Sequence, residues 1–292
     1  MKQYYLVTTQ HLENRLWFRD DKDFAIGMNY VAIQASISDV IVLAFILMSN
    51  HVHFILYGTE EEVRRFIRQF KIRFSLYSNK KYGTYDLLRR NDVDMKVLSA
   101  NDPESLERAI AYVLMNCVAA SICAHPSQYP WGTGNLYFNT FVSNTSDRRL
   151  GPISPTARAR LLHSKNVDLP ENWIVSDLGF IKPESYVRTD LVENIFRRPE
   201  RMNYFLQSSS KARKRLETIE KQTPAFRDQT ILKALPELCL SLFQKQCFTE
   251  LSAPEQSELM RQIRFRFSAN VNQIARVCGV TYAEAAQIMD TV

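Results

Sequence analysis

Two of the chain's five histidines, His51 and His53, stand two residues apart inside the apolar stretch Phe45-Ile46-Leu47-Met48-Ser49-Asn50-His51-Val52-His53-Phe54-Ile55-Leu56. On a strand, positions i and i+2 share a face, so both imidazoles point one way and Val52 the other. A buried imidazole needs partners for its ring nitrogens. A shared metal ion satisfies one nitrogen on each ring at once; the alternative is a pair of hydrogen-bonded core or edge histidines. A second constellation is a run of cations. Between residues 64 and 90 stand nine (Arg64, Arg65, Arg68, Lys71, Arg73, Lys80, Lys81, Arg89 and Arg90) against one acid, Asp86, with Tyr77, Tyr82 and Tyr85 interleaved. Cations neutralise phosphates and aromatic rings stack unpaired bases, so a helix followed by a basic loop suits a DNA hairpin stem and its flanking single strand. The alternative is a solvated helix face. His11, His125 and His163 have no partner spacing.

The elements that would carry these residues alternate over residues 1–142. Tyr4-Tyr5-Leu6-Val7-Thr8-Thr9 is aromatic and β-branched, hence a strand. Residues 23–36 have apolar side chains at helical spacing. Residues 40–47 and 51–57 are short apolar runs joined by the turn signal Ser49-Asn50, which predicts an antiparallel hairpin. Residues 60–77 predict an amphipathic helix with Val63, Phe66, Ile67, Phe70 and Phe74 on one side. Residues 95–98 read as a short strand, and Asp102-Pro103-Glu104 opens a helix running to Ser121, with Asp102 as its N-cap. Residues 127–141 read as aromatic loop and edge structure. Residues 143–156, with Ser, Thr, Asp, Arg, Gly and two prolines in 143–155, predict a linker. Beyond it almost everything reads helical, with capping boxes at Ser252–Glu255 and Thr281–Glu284.

Strands mixed with helices, then helices alone, predict an α+β domain over 1–142, an antiparallel sheet flanked by helices, followed by an all-α accessory domain over 157–292. Within it, 271–290 is a candidate helix-turn-helix, with Ala275 in the first helix, Gly279 in the turn and Thr281 capping the second. That second helix offers Tyr282, Glu284, Gln287 and Asp290 but no Arg or Lys, a poor face for phosphates, so a plain helical pair stays open. Lys211-Ala212-Arg213-Lys214-Arg215 is a basic patch for backbone phosphates or a solvated helix end.

Composition bounds the function classes. At 292 residues, 46% hydrophobic and 11% aromatic, the chain has the apolar mass for a core, which excludes wholesale disorder. Eight glycines and eleven prolines exclude a fibrous chain. Lys+Arg number 37 against 31 Asp+Glu, a net charge of +6 that accords with a polyanionic partner but is weak alone. The cysteines Cys117, Cys123, Cys239, Cys247 and Cys278 form no CxxC pair and no zinc spacing, so reduced thiols in the cytoplasm are expected. No charged-then-apolar leader precedes the first strand and no apolar run reaches ~18 residues, so neither secretion nor membrane contact is expected.

The stretch Met48-Ser49-Asn50-His51-Val52-His53 resembles the HUH single-strand DNA nucleases, and within them the REP-associated tyrosine transposases. In that family an apolar strand turns through Met-Pro-Asn-His-x-His into a second apolar strand; serine stands here at the proline position. The family's nucleophile lies on a later helix in a pattern like Tyr-Ile-x-x-Asn-Pro-Val-x-Ala-Gly, to which Tyr112-Val113-Leu114-Met115-Asn116-Cys117-Val118-Ala119-Ala120-Ser121 is similar, with Cys117 and Ser121 in place of proline and glycine. Tyr129-Pro130-Trp131-Gly132-Thr133 resembles the family's Pro-Trp-Ser-Ser element. The resemblance covers about half of the chain, and three motifs in the right order make it fairly specific. It implies a ferredoxin-like HUH nuclease domain, metal ligation by His51, His53 and Asn116, and Tyr112 as nucleophile.

Elementary chemistry accords with that implication. Tyr112 and Asn116 are four apart on a helix and share a face. If Asn116 offers its amide oxygen to an ion held by His51 and His53, Tyr112 adjoins that ion. A divalent ion polarises a scissile phosphate and neutralises charge in the displacement. Tyr112 then attacks in line, giving a phosphotyrosine and a free 3′-hydroxyl. Imidazoles with an amide oxygen and open positions suit Mg²⁺ or Mn²⁺, the imidazoles leaning toward Mn²⁺. The alternative for Tyr112 is an ordinary half-buried helix tyrosine. The expected activity is a metal-dependent single-strand DNA endonuclease and strand transferase acting near hairpin-forming repeats, in the cytoplasm and associated with the nucleoid. A domesticated, non-cleaving hairpin-binding regulator is the alternative, and a small-substrate metallohydrolase the third. Monomer and homodimer both stay open.

Overall fold

Short β-branched runs alternating with amphipathic helices fold, in the computed structural model of the chain, into β1 (Gln3–Thr8), α1 (Asp21–Ile37), β2 (Ile41–Met48), β3 (His51–Gly58), α2 (Glu60–Tyr82) and β4 (Asp94–Val97). The structure describes residues 1–9, 16–83, 93–99, 102, 104–120, 122–139, 147–165, 168–209, 226–267 and 269–290. The four strands form one antiparallel sheet in the order β2-β3-β1-β4. Each βαβ unit skips one strand, which is the ferredoxin-like arrangement. The fold is therefore α+β, an antiparallel sheet flanked by helices, followed by a helical C-terminal region.

The register sorts the side chains. β1 pairs with β3 from Gln3↔Gly58 to Thr8↔His53, and with β4 from Tyr5↔Val97 to Thr8↔Asp94. Directly paired residues share a face. One face carries Val7, Val52, Phe54 and Leu56 and receives α2, whose Phe66 and Phe70 rings lie 5.9 and 5.8 Å from that of Phe54. The other face carries His51, His53, Ile55 and Tyr57, with Tyr4, Leu6 and Thr8 beside them on β1.

Helix α2 starts on a capping box between Thr59 and Glu62 and runs to Tyr82, past the expected end at Tyr77. The reason lies on α1. Asp23, fully buried, accepts hydrogen bonds from the Tyr77 hydroxyl (2.8 Å), the Tyr82 hydroxyl (2.7 Å) and the Lys81 ammonium (2.7 Å). A buried carboxylate requires such partners, and satisfying it carries the helix another turn, to Gly83 in the left-handed conformation of a C-cap.

After β4 comes α3 (Ser105–Leu114), then α4 (Asn116–Ala119). The uninterrupted helix expected from Asp102 to Ser121 is corrected in two respects. The N-cap position is Glu104 rather than Asp102, and the helix breaks at Met115. At the break the Asn116 amide nitrogen donates to the carbonyls of Tyr112 (2.8 Å) and Val113 (3.1 Å), so the side chain competes for backbone acceptors of the preceding turn. Pro103 and Ser121 lie outside the described residues. The segment 129–133 seals the edge of β2: Leu47 N–H donates to the Trp131 carbonyl (2.8 Å), Thr133 N–H to Phe45 (3.0 Å) and the Tyr129 hydroxyl to Leu47 (2.7 Å). Glycine is required at 132, where a Cβ would meet the Phe45 carbonyl oxygen at 2.7 Å.

Residues 147–209 contain β5 (Arg148–Arg149) paired with β6 (Ile174–Val175), and α5 (Pro155–Leu162), α6 (Thr189–Phe196) and α7 (Pro199–Ser208). The sequence reading makes nearly all of this helical. Residues 168–188 instead form strand, turns and one 3₁₀ turn, since Pro170, Gly179 and Pro183 break a helix. Leu150, Leu162, Trp173, Ile181 and Phe205 join the same apolar cluster as the sheet. Asn29 of α1 ties this stretch in, donating to the Leu161 and Gly179 carbonyls and accepting from Ile181 N–H.

The last helices are α8 (Asp228–Phe243), α9 (Ala253–Phe267), α10 (Val271–Cys278) and α11 (Tyr282–Asp290). They surround a second apolar cluster that includes Ile231, Leu259, Ile263, Ile274 and, from near the N-terminus, Leu16. Between α10 and α11 Gly279 adopts φ 73°, and Thr281 and Glu284 form a capping box. This region docks on the β2–β3 turn. The Asp228 carboxylate, nearly buried, accepts from the Ser49 hydroxyl (2.6 Å) and from the Arg276 guanidinium (2.9 and 3.2 Å). Opposite, Trp17 and Phe18 N–H donate to the Ser49 carbonyl (2.8 and 3.0 Å). Removing one partner of a buried ion pair leaves the other uncompensated. Asp228→Ala should therefore lower the unfolding free energy by about 3 kcal/mol, and Ser49→Ala by about 1 kcal/mol, in urea titrations. Stability unchanged in Asp228→Ala would show that this contact does not hold the turn.

Candidate active site

The hairpin turn starts β3 at His51, and strand alternation sends His51 and His53 out on the face away from α2. Their ring centroids are 5.0 Å apart and nearly perpendicular. His53 is fully buried and His51 half-buried. The Nδ1 of His51 lies 3.0 Å from the Asn50 side-chain oxygen. That oxygen only accepts, so Nδ1 is the donor, and in the neutral ring the lone pair is then on Nε2. A neighbour that orients an imidazole in this way is what a ligating histidine needs.

Helix α3 lies over β2 and β3. It sets the Tyr112 ring edge-on to that of His53, with centroids 5.6 Å apart and planes at 87°. Tyr112 is half-buried, and its phenol pKa is raised, first by burial and second by the negative charge of Asp94. Asp94 belongs to the same row of the sheet as His53, the two flanking Thr8 in the paired register. Asn116 follows Tyr112 by one turn and is 4% exposed. Its amide nitrogen is committed to the carbonyls of Tyr112 and Val113, so of the side chain's polar atoms only the oxygen could serve as a ligand.

Among the described residues no three His, Cys, Asp or Glu side chains gather as a metal site. A closed zinc-type set is thus not formed by them. Were the Asn116 oxygen to join the two imidazoles, the donor set would be mixed nitrogen and oxygen with open positions, of the kind that suits Mn²⁺ or Mg²⁺.

The structure brings His51, His53 and Tyr112 together, and it distributes the cations otherwise. Arg64, Arg65, Arg68 and Lys80 are exposed on α2, across the sheet from the histidines, and Arg64 pairs with Glu60 (2.8 Å). Lys71 is buried, Arg73 donates to the Ser164 hydroxyl (3.2 Å), and Lys81 bridges Asp20 and Asp23 at 2.7 Å each. These two carboxylates hold the Lys81 ammonium well above its ordinary pKa despite partial burial. Arg89, Arg90, Tyr85 and residues 211–215 lie outside the described residues.

Two features escaped the sequence reading. Asp94 directly precedes the expected strand 95–98, and only the register aligns it with His53. A cavity of about 420 Å³ adjoins His51, between the β2–β3 turn and the C-terminal helices, lined among others by Asn50, Arg227, Asn272, Arg276 and Tyr282. It is built from residues far apart in the chain, so no local pattern announces it.

No family model matches the chain, and no curated protein matches it. Among solved structures, it is similar to that of a REP-associated tyrosine transposase bound to a REP hairpin, at 13% identity over 49% of this chain and 89% of that one, with a TM-score of 0.34. A likeness at that score carries no weight, and the functional reading rests on the residues of this chain.

Proposed function

We propose that the chain is a metal-dependent single-strand DNA endonuclease and strand transferase, a transposase-type enzyme cutting beside hairpin-forming repeats through a covalent 5′-phosphotyrosine. One observation carries this reading: the Tyr112 ring stands against His53, on the face to which His51 and His53 both project, with Asn116 one turn further on. A plain core tyrosine needs no such company. His51, His53 and the Asn116 oxygen are the residues that would hold the ion. When bound, a divalent ion supplies Lewis-acid polarisation of the phosphate and neutralises its charge.

Tyr112 supplies the nucleophile. Its Oη bonds to phosphorus as the bond from phosphorus to the 3′-oxygen breaks. The phenol proton passes to solvent, and the departing oxygen takes a proton to become a 3′-hydroxyl. The phosphodiester energy is kept in the phosphotyrosine, so attack by another 3′-hydroxyl joins strands and returns the phenol. Burial and then the Asp94 charge raise the Tyr112 phenol further above its ordinary value, so it is the neutral phenol that must give up its proton in the attack. Arg65, Arg68 and Lys80 are exposed cations on α2 that can meet backbone phosphates, and the helices after residue 226 serve as an accessory unit beside His51.

Incubation with single-stranded hairpin DNA labelled at its 3′ end, with Mn²⁺, should give a protein–DNA adduct that survives denaturation. Tyr112→Phe should abolish it, and His51→Ala or His53→Ala should reduce it by about a hundredfold or more. Hairpin binding without an adduct would overturn the reading in favour of a non-cutting regulator. The pH dependence gives a second check. A raised phenol pKa places the rising limb of adduct rate at high pH, and Asp94→Asn removes one of its causes. That limb should move to lower pH in Asp94→Asn; an unmoved limb would show that this charge does not act on the nucleophile.

A further inference from the structure

We propose that the part of the histidine face left open by α3 is a stacking platform for the unpaired DNA strand beside the scissile phosphate, with Tyr4 and Tyr57 as its rings; this deepens, and rests on, the single-strand reading above. Tyr4 of β1 and Tyr57 of β3 are directly paired, with ring centroids 4.7 Å apart and planes tilted by 44°. Tyr57 lies four residues from His53 along one strand, so it shares the histidine face at about 13 Å distance. The row between them holds Lys96, paired with Leu6 on β1, which in turn pairs with Ile55. From the sheet end inward the face therefore presents two rings, a cation, and then the His53 row with Tyr112 above it.

Among the described residues that face is only partly covered. Helix α3 lies over β2 and β3, while Tyr4, Leu6, Thr8 and Tyr57 are half-buried and Lys96 is exposed. Both rings pack partly against the core and keep part of their surface accessible. Aromatic rings on a four-stranded sheet are an established base-stacking device, and every base offers a π-face, so such a platform tolerates sequence variation. Lys96 supplies the charge complement for a phosphate linking a stacked base to the reacting one. Asp94, at the outer end of the His53 row, repels phosphates and keeps the backbone on the line from Lys96 to His53.

Binding of fluorescent oligo-dT by the full chain, followed by anisotropy, tests this. Tyr57→Leu and Tyr4→Leu should each weaken binding about tenfold, whereas Tyr57→Phe should bind like the parent, since stacking needs the ring and not the hydroxyl. Lys96→Glu, an exposed change that leaves the core alone, should weaken binding at low salt and flatten its salt dependence. Duplex DNA of the same length should be indifferent to the tyrosine changes. Folded Tyr57→Leu with parental affinity, Lys96→Glu without effect, or equal losses on duplex would overturn the platform. The adduct assay separates the two readings. Oligo-dT binding that depends on Tyr57 in a chain that forms no adduct leaves the platform standing and removes strand transfer. An adduct with Tyr57-independent binding does the reverse.

Discussion

The pairing of Thr8 with His53 sets the site, because it fixes which side chains of β3 meet which face of the sheet. Val52, Phe54 and Leu56 are wholly buried under the helices of one face, and alternation alone then sends His51, His53, Ile55 and Tyr57 to the other. A slip of one residue would drive both imidazoles under α2 and turn Phe54 out to α3. The aromatic packing of Phe54 on Phe66 and Phe70 is therefore what orients the histidines, though none of these rings touches the chemistry.

The turn that carries Asn50 and His51 is braced from several directions. Trp17 and Phe18 hold its backbone, Asp228, itself paired with Arg276, accepts from the Ser49 hydroxyl, and the segment 129–133 closes the adjacent edge of β2. Such bracing would hold the two strand histidines in place for the ion proposed between them. Serine at position 49 acquires a physical role in this arrangement. A proline there would have no hydroxyl for Asp228, and the C-terminal helices would lose a polar contact to the turn.

The hairpin and the shared face of His51 and His53 were legible because they rest on local periodicity, two along a strand. The proximity of Tyr112 to His53 came only from the motif resemblance, since no local pattern joins residues so far apart. The length of α2 was not legible, because it depends on Asp23, which lies more than fifty residues away from Tyr77. The break at Met115 depends on a side-chain amide choosing carbonyls over solvent. The basic run gave no indication of which of its cations the fold engages. Of the seven described cations, Arg73 and Lys81 bind partners within the fold and Lys71 is buried, whereas Arg64, Arg65, Arg68 and Lys80 are exposed on α2. Helical propensity was overextended across 168–188, where prolines and a positive-φ glycine turn the chain.

Paramagnetic broadening by Mn²⁺ is the most direct test of whether these groups share one ion. In a protein labelled at histidine and tyrosine rings, substoichiometric Mn²⁺ should erase the signals of His51, His53 and Tyr112 first and leave those of His125 and His163 sharp. Broadening centred elsewhere, or none at saturating metal, would contradict a common ion between the histidine pair and the tyrosine helix.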